Sequence, residues 1–401
     1  MNNNKMTIKD IAFAGKKVFC RVDFNVPLNE YSQITENTRI KAALPTIRYL
    51  LDGQARLILA SHLGRPKGEP KAKYSLKPIA AELSRLLGQP VIMAEDCIGP
   101  AVEAQVEALQ PGQILLLENV RFHAEEEKND PAFARQLAGL ADIYVNDAFG
   151  TAHRAHASTE GITHYLDVAV AGFLLEREIR YFETVLSEPP HPFVVVLGGA
   201  KASDKIPVIR SLLPKVDTIL IGGGMAYTFI QAQGGYVGNS LVESERIDLA
   251  RELLTEAADR GVRFLLPTDH ILARAFKPDA ESMVFKGDHF PDGWMGLDIG
   301  PETAAQYAQD LKEAALVVWN GPMGVFEFDR FAQGTFAVAH ALADSGAMSI
   351  VGGGDSMAAV DKAGLNSRMT HISTGGGASL EYLEGKVLPG VAALDSKVKG
   401  A

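Results

Sequence analysis

Only two cysteines occur in 401 residues, Cys20 and Cys97, and neither belongs to a CxxC spacing or a Cys/His cluster. Disulfide scaffolds and cysteine-rich metal modules are therefore excluded, and both thiols read as small buried residues. No run of eighteen apolar residues is present, and the opening MNNNKMTIKD lacks the charged-then-apolar pattern of a signal peptide. The expectation is a cytoplasmic protein with no membrane partner. Aromatic residues are sparse at 7%, so stacking platforms for nucleic-acid bases are not in evidence. Positive charge is short as well: 39 Lys and Arg face 49 Asp and Glu, a formal net charge of -10. Nonspecific nucleic-acid binding rests on phosphate neutralisation and is excluded on the same ground. Any anion must be met by a local cluster.

What the chain does have is length for about two domain cores and a repeated βα pattern. Short apolar runs, β-branched and each followed by a glycine-rich or polar turn, recur as VFCRVDFNV (18–26), ARLILASHLG (55–64), QILLLENVRF (113–122) and DIYVNDAFG (142–150). In the second half they are FVVVLGGA (193–200), DTILIGGG (217–224), RFLLPTD (263–269), LVVWNGPMG (316–324), MSIVGGG (348–354) and THISTGGG (370–377). Runs apolar on both faces are strands covered on both sides, hence parallel sheet. Amphipathic stretches lie between them, such as 75–88, 244–261 and 334–346. The fold class is α/β, with two doubly wound parallel-sheet, Rossmann-like domains joined by a helix and hinge. The helical stretch 174–186 and the Pro-rich stop at 189–192 mark the division. This gives domains at 1–173 and 191–387, a connecting segment at 174–190, and a tail at 388–401 that either frays or packs on the first domain.

Four glycine clusters follow strands of the second half, at 198–199, 222–224, 352–354 and 375–377. A glycine turn lets backbone approach a ligand, and the helix start beyond it offers free N–H groups and a positive dipole end. Four along one sheet edge would cradle a polyanion, most simply a nucleotide. Neither GxxxxGK[ST] nor GxGxxG fits these residues, which removes P-loop enzymes and dinucleotide dehydrogenases. In GGAKASDKIPVI, Lys201 and Lys205 stand at a helix mouth to hold phosphates. Ser203 and Asp204 are cap candidates there, and Pro207 places the helix start near Ser203. Asp355 in GGGDS follows a glycine turn, where a carboxylate can share Mg²⁺ with phosphate oxygens or cap its own helix.

The first half is nearly neutral, with 21 Lys and Arg against 23 Asp and Glu up to residue 186. Its strand ends carry Asp23 and Asn25, then His62 and Arg65, Arg121, and His153, Arg154 and His156, with Arg39 nearby. Arginine forks bind phosphate and carboxylate with two prongs, so a second anion site is expected where open α/β sheets bind ligands. The His153/His156 pair lacks a third metal ligand. The EEEKND run (125–130) reads as a solvated helix start. Two anion sites imply transfer between two phosphorylated ligands, with cationic screening and exclusion of water.

The motifs RVDFNVP, HLGRP, LENVRF, NDAFGTAHRAHAS, LGGAK, IGGGMA, WNGPMGVFE, GGGDS and STGGGAS together resemble the phosphoglycerate kinase family from end to end. The resemblance implies reversible, Mg²⁺-dependent transfer between 1,3-bisphosphoglycerate and ADP, giving 3-phosphoglycerate and ATP, in a cleft closed by hinge motion in a monomer. It implies that Asp23, Phe24, Asn25, Arg39, His62, Leu63, Gly64, Arg65, Arg121 and Arg154 bind phosphoglycerate. On the nucleotide side it implies Gly199, Lys201, Lys205, Gly223, Asn320, Glu327, Gly353, Gly354, Asp355 and Ser356, with Asp355 on the metal and Glu327 on the ribose. Arg39 and Lys201, aided by the helix start at Gly376 and Gly377, would stabilise the phosphoryl group in transfer. Two other readings are weaker: an oxidoreductase lacks its fingerprint, and a two-lobed phospho-acid binder has no use for the lysine pair or Asp355.

Overall fold

The computed structural model describes residues 4–397, so 398–401 of the expected tail lie outside the described residues. The chain forms two compact units, one running to Glu183 and resuming at Val387, the other spanning Thr184–Lys386.

In the first unit, β1 (Lys17–Val22), β2 (Arg56–Ala60), β3 (Ile92–Met93), β4 (Ile114–Leu116), β5 (Ile143–Asp147) and β6 (Ala169–Ala171) form one parallel sheet. Its order is β3-β4-β2-β1-β5-β6. The chain thus leaves β1 in both directions, which makes the strand ends beside β1 the topological switch point of this sheet. The central strands are buried on both faces because helices cover both. The helix Lys77–Leu87 shows the local logic. Ile79, Ala80 and Leu83 form its buried face, Pro78 sits in the first turn, and Gly88 ends it in the left-handed conformation at φ 72°.

Both chain ends cover the β6 edge. Ile8 donates to Ala171 O at 3.0 Å, Met6 N to Asp395 O at 2.8 Å, and Asp395 N to Ala169 O at 2.8 Å. The Asp395 carboxylate takes Ala169 N at 2.8 Å. Leu388, Val391 and Leu394 are buried, and Asn146 Nδ2 donates to Gly390 O at 3.1 Å. An edge strand with unpaired backbone is thereby closed.

The second unit is built on β7 (Phe193–Leu197), β8 (Thr218–Ile221), β9 (Arg263–Leu265), and, after three antiparallel strands, β13 (Leu316–Asn320), β14 (Met348–Gly352) and β15 (His371–Ile372). The parallel order is β15-β14-β13-β7-β8-β9, so the switch point lies between β13 and β7. The antiparallel strands β10 (Asp269–Ala273), β11 (Ser282–Lys286) and β12 (Met295–Ile299) form a separate sheet, which the βα pattern did not foretell. Its β11 edge is largely exposed or half-buried, so it lacks the continuous apolar signature of the parallel strands. The helix at 173–186 straddles the division between the units. Cys20 and Cys97 are both buried and free.

Candidate active site

In the first unit the loops after β1, β2, β4 and β5 bring basic groups to one edge. Arg39, in the first turn of the helix Thr38–Asp52, pairs with Asp23 Oδ2 at 2.6 Å. Asn25 Oδ1 accepts Gly64 N at 2.8 Å, and Phe24 N donates to Ser61 Oγ at 2.8 Å, tying the β1 loop to the β2 loop. Leu63 O accepts Asn119 Nδ2 at 2.8 Å, while Arg121 Nη1 donates to Gly64 O at 3.0 Å. Arg121 Nε faces Glu127 Oε1 at 3.3 Å without the alignment of a hydrogen bond. Arg154 Nε lies 3.3 Å from His153 Nε2. Arg65 is exposed, with no hydrogen bond or ion pair to any described residue.

Arg21 was missed by the sequence reading. It is completely buried in β1, with Nε donating to Ser158 Oγ at 2.7 Å and Nη2 lying 3.4 Å from His62 Nδ1. Ser158 in turn donates through Oγ to Glu126 at 2.6 Å and through N at 2.9 Å. Glu126 is also fully buried, which corrects the reading of 125–130 as merely a solvated helix start: one face of that run balances the arginines. The signal that could have found it was Arg21 itself, a charge inside an apolar strand that requires a buried partner.

The field of this cluster is visible in its histidines. Burial, then Arg121, Arg21 and Arg39, hold His62 far below its usual pKa. Burial, then Arg121, Arg21 and Arg154, lower His156 to about 3. Arg121 is itself lowered to about 10, by burial with Arg21 and Arg154 adding to it, against the opposing pull of Glu127. Both imidazoles are neutral at pH 7, and an anion entering this edge meets four arginines, Arg21, Arg39, Arg121 and Arg154, set against the carboxylates of Asp23, Glu126 and Glu127.

In the second unit a cavity of about 430 Å³ opens at the β13/β7 switch point. One wall is Gly199, Lys201 and Lys205; the others are Asn320, the turn Gly353–Ser356, and Gly376 with Gly377. Gly353 (φ 90°) precedes the helix Gly354–Lys362, and Gly376 (φ 53°) precedes Gly377–Leu383. Each positive φ turns the chain so that free helix N–H groups face the cavity. Trp319 Nε1 donates to Gly321 O at 2.7 Å, and Gly321 N donates to Ser356 Oγ at 2.6 Å, locking the β13 turn. Lys205 is buried, its ammonium donating to Asn320 Oδ1. Burial lowers its pKa to about 8, against the opposing pull of Asp204 and Asp355. Asn320 Nδ2 is buried without a partner.

The helix after the lysines begins at Ile206, with Lys205 as its cap position, not near Ser203. Ser203 does not cap, because its N and Oγ bind Glu243 at 2.9 and 2.6 Å. Pro207 falls in the first turn, where a missing N–H costs nothing. Two expected nucleotide residues lie off the cavity wall. Gly223 (φ 66°) packs so closely on the first glycine turn that a Cβ would come within 2.5 Å of Gly199 N. Glu327 is exposed in the loop after β13.

Asp355 is exposed on the cavity wall and forms no ion pair with any described residue. Asp204 also lines the cavity, and two carboxylates without an ion pair to any described residue, beside glycine turns, suit Mg²⁺, which takes few carboxylates and shares phosphate oxygens.

A family model described as phosphoglycerate kinase matches residues 8–386. The chain belongs to the phosphoglycerate kinase family. It is 62% identical to the phosphoglycerate kinase of Moorella thermoacetica over 393 residues, covering 98% of this chain and 100% of that one. It is 58% identical to that of Synechococcus elongatus over 398 residues, covering 98% and 99%. The solved phosphoglycerate kinase of Coxiella burnetii superposes with a TM-score of 0.87 at 43% identity, covering 97% of this chain and 98% of that chain. The solved enzyme of Pyrococcus horikoshii gives 0.85 at 35%, with the same coverage. The activity is the glycolytic phosphoglycerate kinase reaction, a phosphotransfer with a carboxyl acceptor, in a family that uses Mg-nucleotide. The oxidoreductase and binding-protein readings fall with this assignment. No helix among the described residues is long and apolar enough to cross a membrane.

Proposed function

We propose that the phosphoglycerate kinase reaction is divided between the units. In this reading 1–173 holds the phosphoglycerate, 174–190 is helix and hinge, 191–387 holds the nucleotide, and the tail from 388 returns to the first domain. The observation that carries it is the gathering of Arg39, Arg121, Arg154 and the buried Arg21 around the loops that follow the first unit's parallel strands. Arg39, Arg65, Arg121 and Arg154 would bind the phosphate and carboxylate of 3-phosphoglycerate or 1,3-bisphosphoglycerate, with Asp23, Asn25 and His62 orienting them and Phe24, Leu63 and Gly64 shaping the floor.

Lys201, Lys205 and the glycine turns at Gly199 and Gly353–Gly354 would hold the phosphates of ADP or ATP. Asn320 and Ser356 would support the turns, Gly223 would brace the first of them, and Glu327 would reach the ribose. Asp355 would hold Mg²⁺, which when bound neutralises charge across phosphate oxygens. Arg39, Lys201 and the helix start at Gly376–Gly377 would act on the phosphoryl group in flight, by fixed positive charge.

When 3-phosphoglycerate is phosphorylated, its carboxylate is the nucleophile and is already ionised at neutral pH. No general base is needed, which agrees with two histidines that cannot exchange protons at that pH. In-line transfer requires the two ligands to meet with water excluded, which hinge closure would provide. The family resemblance supports a monomer as the working unit, and the glycolytic role supports a cytoplasmic setting.

Separate titrations of 3-phosphoglycerate and MgADP test the division. Arg65→Ala should weaken only the acid, and Asp355→Asn only the Mg-nucleotide. Crossed effects would contradict it.

A further inference from the structure

The fold assembles a third polar cluster that phosphotransfer does not use. Asp96 and Cys97 lie in the loop after β3, and His123 follows the short turn Val120–Phe122 after β4. Their ligand atoms all lie within 4.8 Å of one another. His123 Nε2 is 2.7 Å from Asp96 Oδ1, and the same oxygen accepts Cys97 N at 2.6 Å. The His123 ring is held against Phe133 at 5.3 Å between centroids, which aims Nε2 at the carboxylate. Asp96 O accepts Glu118 N at 3.3 Å, fixing the loop to the end of β4. Cys97 is fully buried, His123 is 26% exposed and Asp96 49% exposed, so the cluster has a closed sulfur side and an open carboxylate side.

We propose that Asp96, Cys97 and His123 form a Zn²⁺-binding site with three protein ligands and one position open to water. The donor set is one thiolate, one imidazole and one carboxylate, the mixture that Zn²⁺ accepts and that Mg²⁺ and Ca²⁺ do not favour. Bonds of about 2.0–2.3 Å in a tetrahedral ion put neighbouring ligand atoms roughly 3.3–3.7 Å apart. The His123–Asp96 contact must therefore open and the widest separation must close, each by about 1 Å. An exposed carboxylate and a side chain at the end of a short turn can move that far.

Binding releases the Cys97 thiol proton to solvent. His123 ligates through Nε2 as the neutral ring, its proton on Nδ1. The turn between the ligands carries Arg121, so the ion would lie beside the arginine cluster without taking a ligand from it. The sequence reading found no Cys/His cluster because the residues are far apart in the chain and meet only where β3 and β4 pair.

The test is Co²⁺ titration of the full chain, followed by competition with Zn²⁺. The expected result is a near-ultraviolet thiolate-to-cobalt band that saturates at one equivalent, is bleached by one equivalent of Zn²⁺, and survives a large excess of Mg²⁺. Cys97→Ser should abolish the band, and His123→Gln, at a partly exposed position, should weaken cobalt affinity at least tenfold while the circular dichroism stays native. Cys20→Ser and Asp355→Asn should leave the band unchanged, separating this site from the other thiol and from the nucleotide side. Absence of the band in the natively folded wild type, or a band indifferent to both Cys97→Ser and His123→Gln, would overturn the proposal.

Discussion

Lys205→Met separates what the buried ammonium does for binding from what it costs in folding. Burial lowers the Lys205 pKa from 10.5 to about 8, a depression worth roughly 3 kcal/mol at about 1.36 kcal/mol per unit. Because the folded pKa lies below the unfolded one, the cost is fully present below about 8. It is relieved as pH rises from about 8 toward 10.5, where the folded state has shed a proton that the unfolded state retains. Between pH 7 and pH 9.5 the wild type should gain roughly 2 kcal/mol from this group alone. Lys205→Met removes that gain, so the two stability profiles should diverge by about that amount. The variant also leaves Asn320 Oδ1 without its donor, a loss of about 1 kcal/mol at every pH. Denaturant unfolding of the second unit at both pH values, followed by Trp294 and Trp319 fluorescence, is the assay. Parallel profiles would refute the assigned desolvation. In the folded enzyme, loss of a charged phosphate donor should weaken nucleotide binding roughly 10- to 150-fold, and wild-type affinity should itself fall as pH rises through about 8.

Arg65→Ala should raise KM for 3-phosphoglycerate with no change in thermal stability, because this exposed guanidinium has no partner to leave behind; a lowered Tm would show a structural role. Arg21→Met leaves Ser158 Oγ without the buried Arg21 donor and removes a positive charge that favours ionised Glu126, and should destabilise the first unit by about 1–3 kcal/mol, read by denaturant unfolding of that unit. Truncation after Lys386 removes the buried Leu388, Val391 and Leu394 and bares the Ala169 end of β6, while Met6 and Ile8 still pair with Ala171. At about 1.5–3 kcal/mol per side chain, it should lower the first unit's unfolding transition and leave the second unit's in place.

The central parallel strands were legible because they are buried on both faces, whereas the short edge strands β3 and β6 were not read from the sequence. Three of the four glycine clusters line the cavity of the second unit, and 222–224 does not. The strand-end arginines were legible for the same reason: position after a strand is a sequence property. What stayed hidden depended on contacts distant in the chain. Ser203 reads as a helix cap from its neighbours, yet Glu243, forty residues on, claims both its N and Oγ. Glu126 reads as solvated until Ser158 and Arg21 close over it. Strand β11 lacks the two-sided apolar signature because its residues are half-buried or exposed. The pKa of Lys205 follows from burial, which no motif encodes.

Arg39 and Lys201, from different units, are proposed to act on the phosphoryl group in transfer rather than on ground-state binding. The direct measurement is kcat for ATP-dependent phosphorylation of 3-phosphoglycerate in Arg39→Ala and Lys201→Ala, set beside equilibrium Kd values for both ligands. Each variant should lose about a thousandfold or more in kcat, with nucleotide Kd changed by less than about tenfold. Equal losses in kcat and in nucleotide affinity would contradict it.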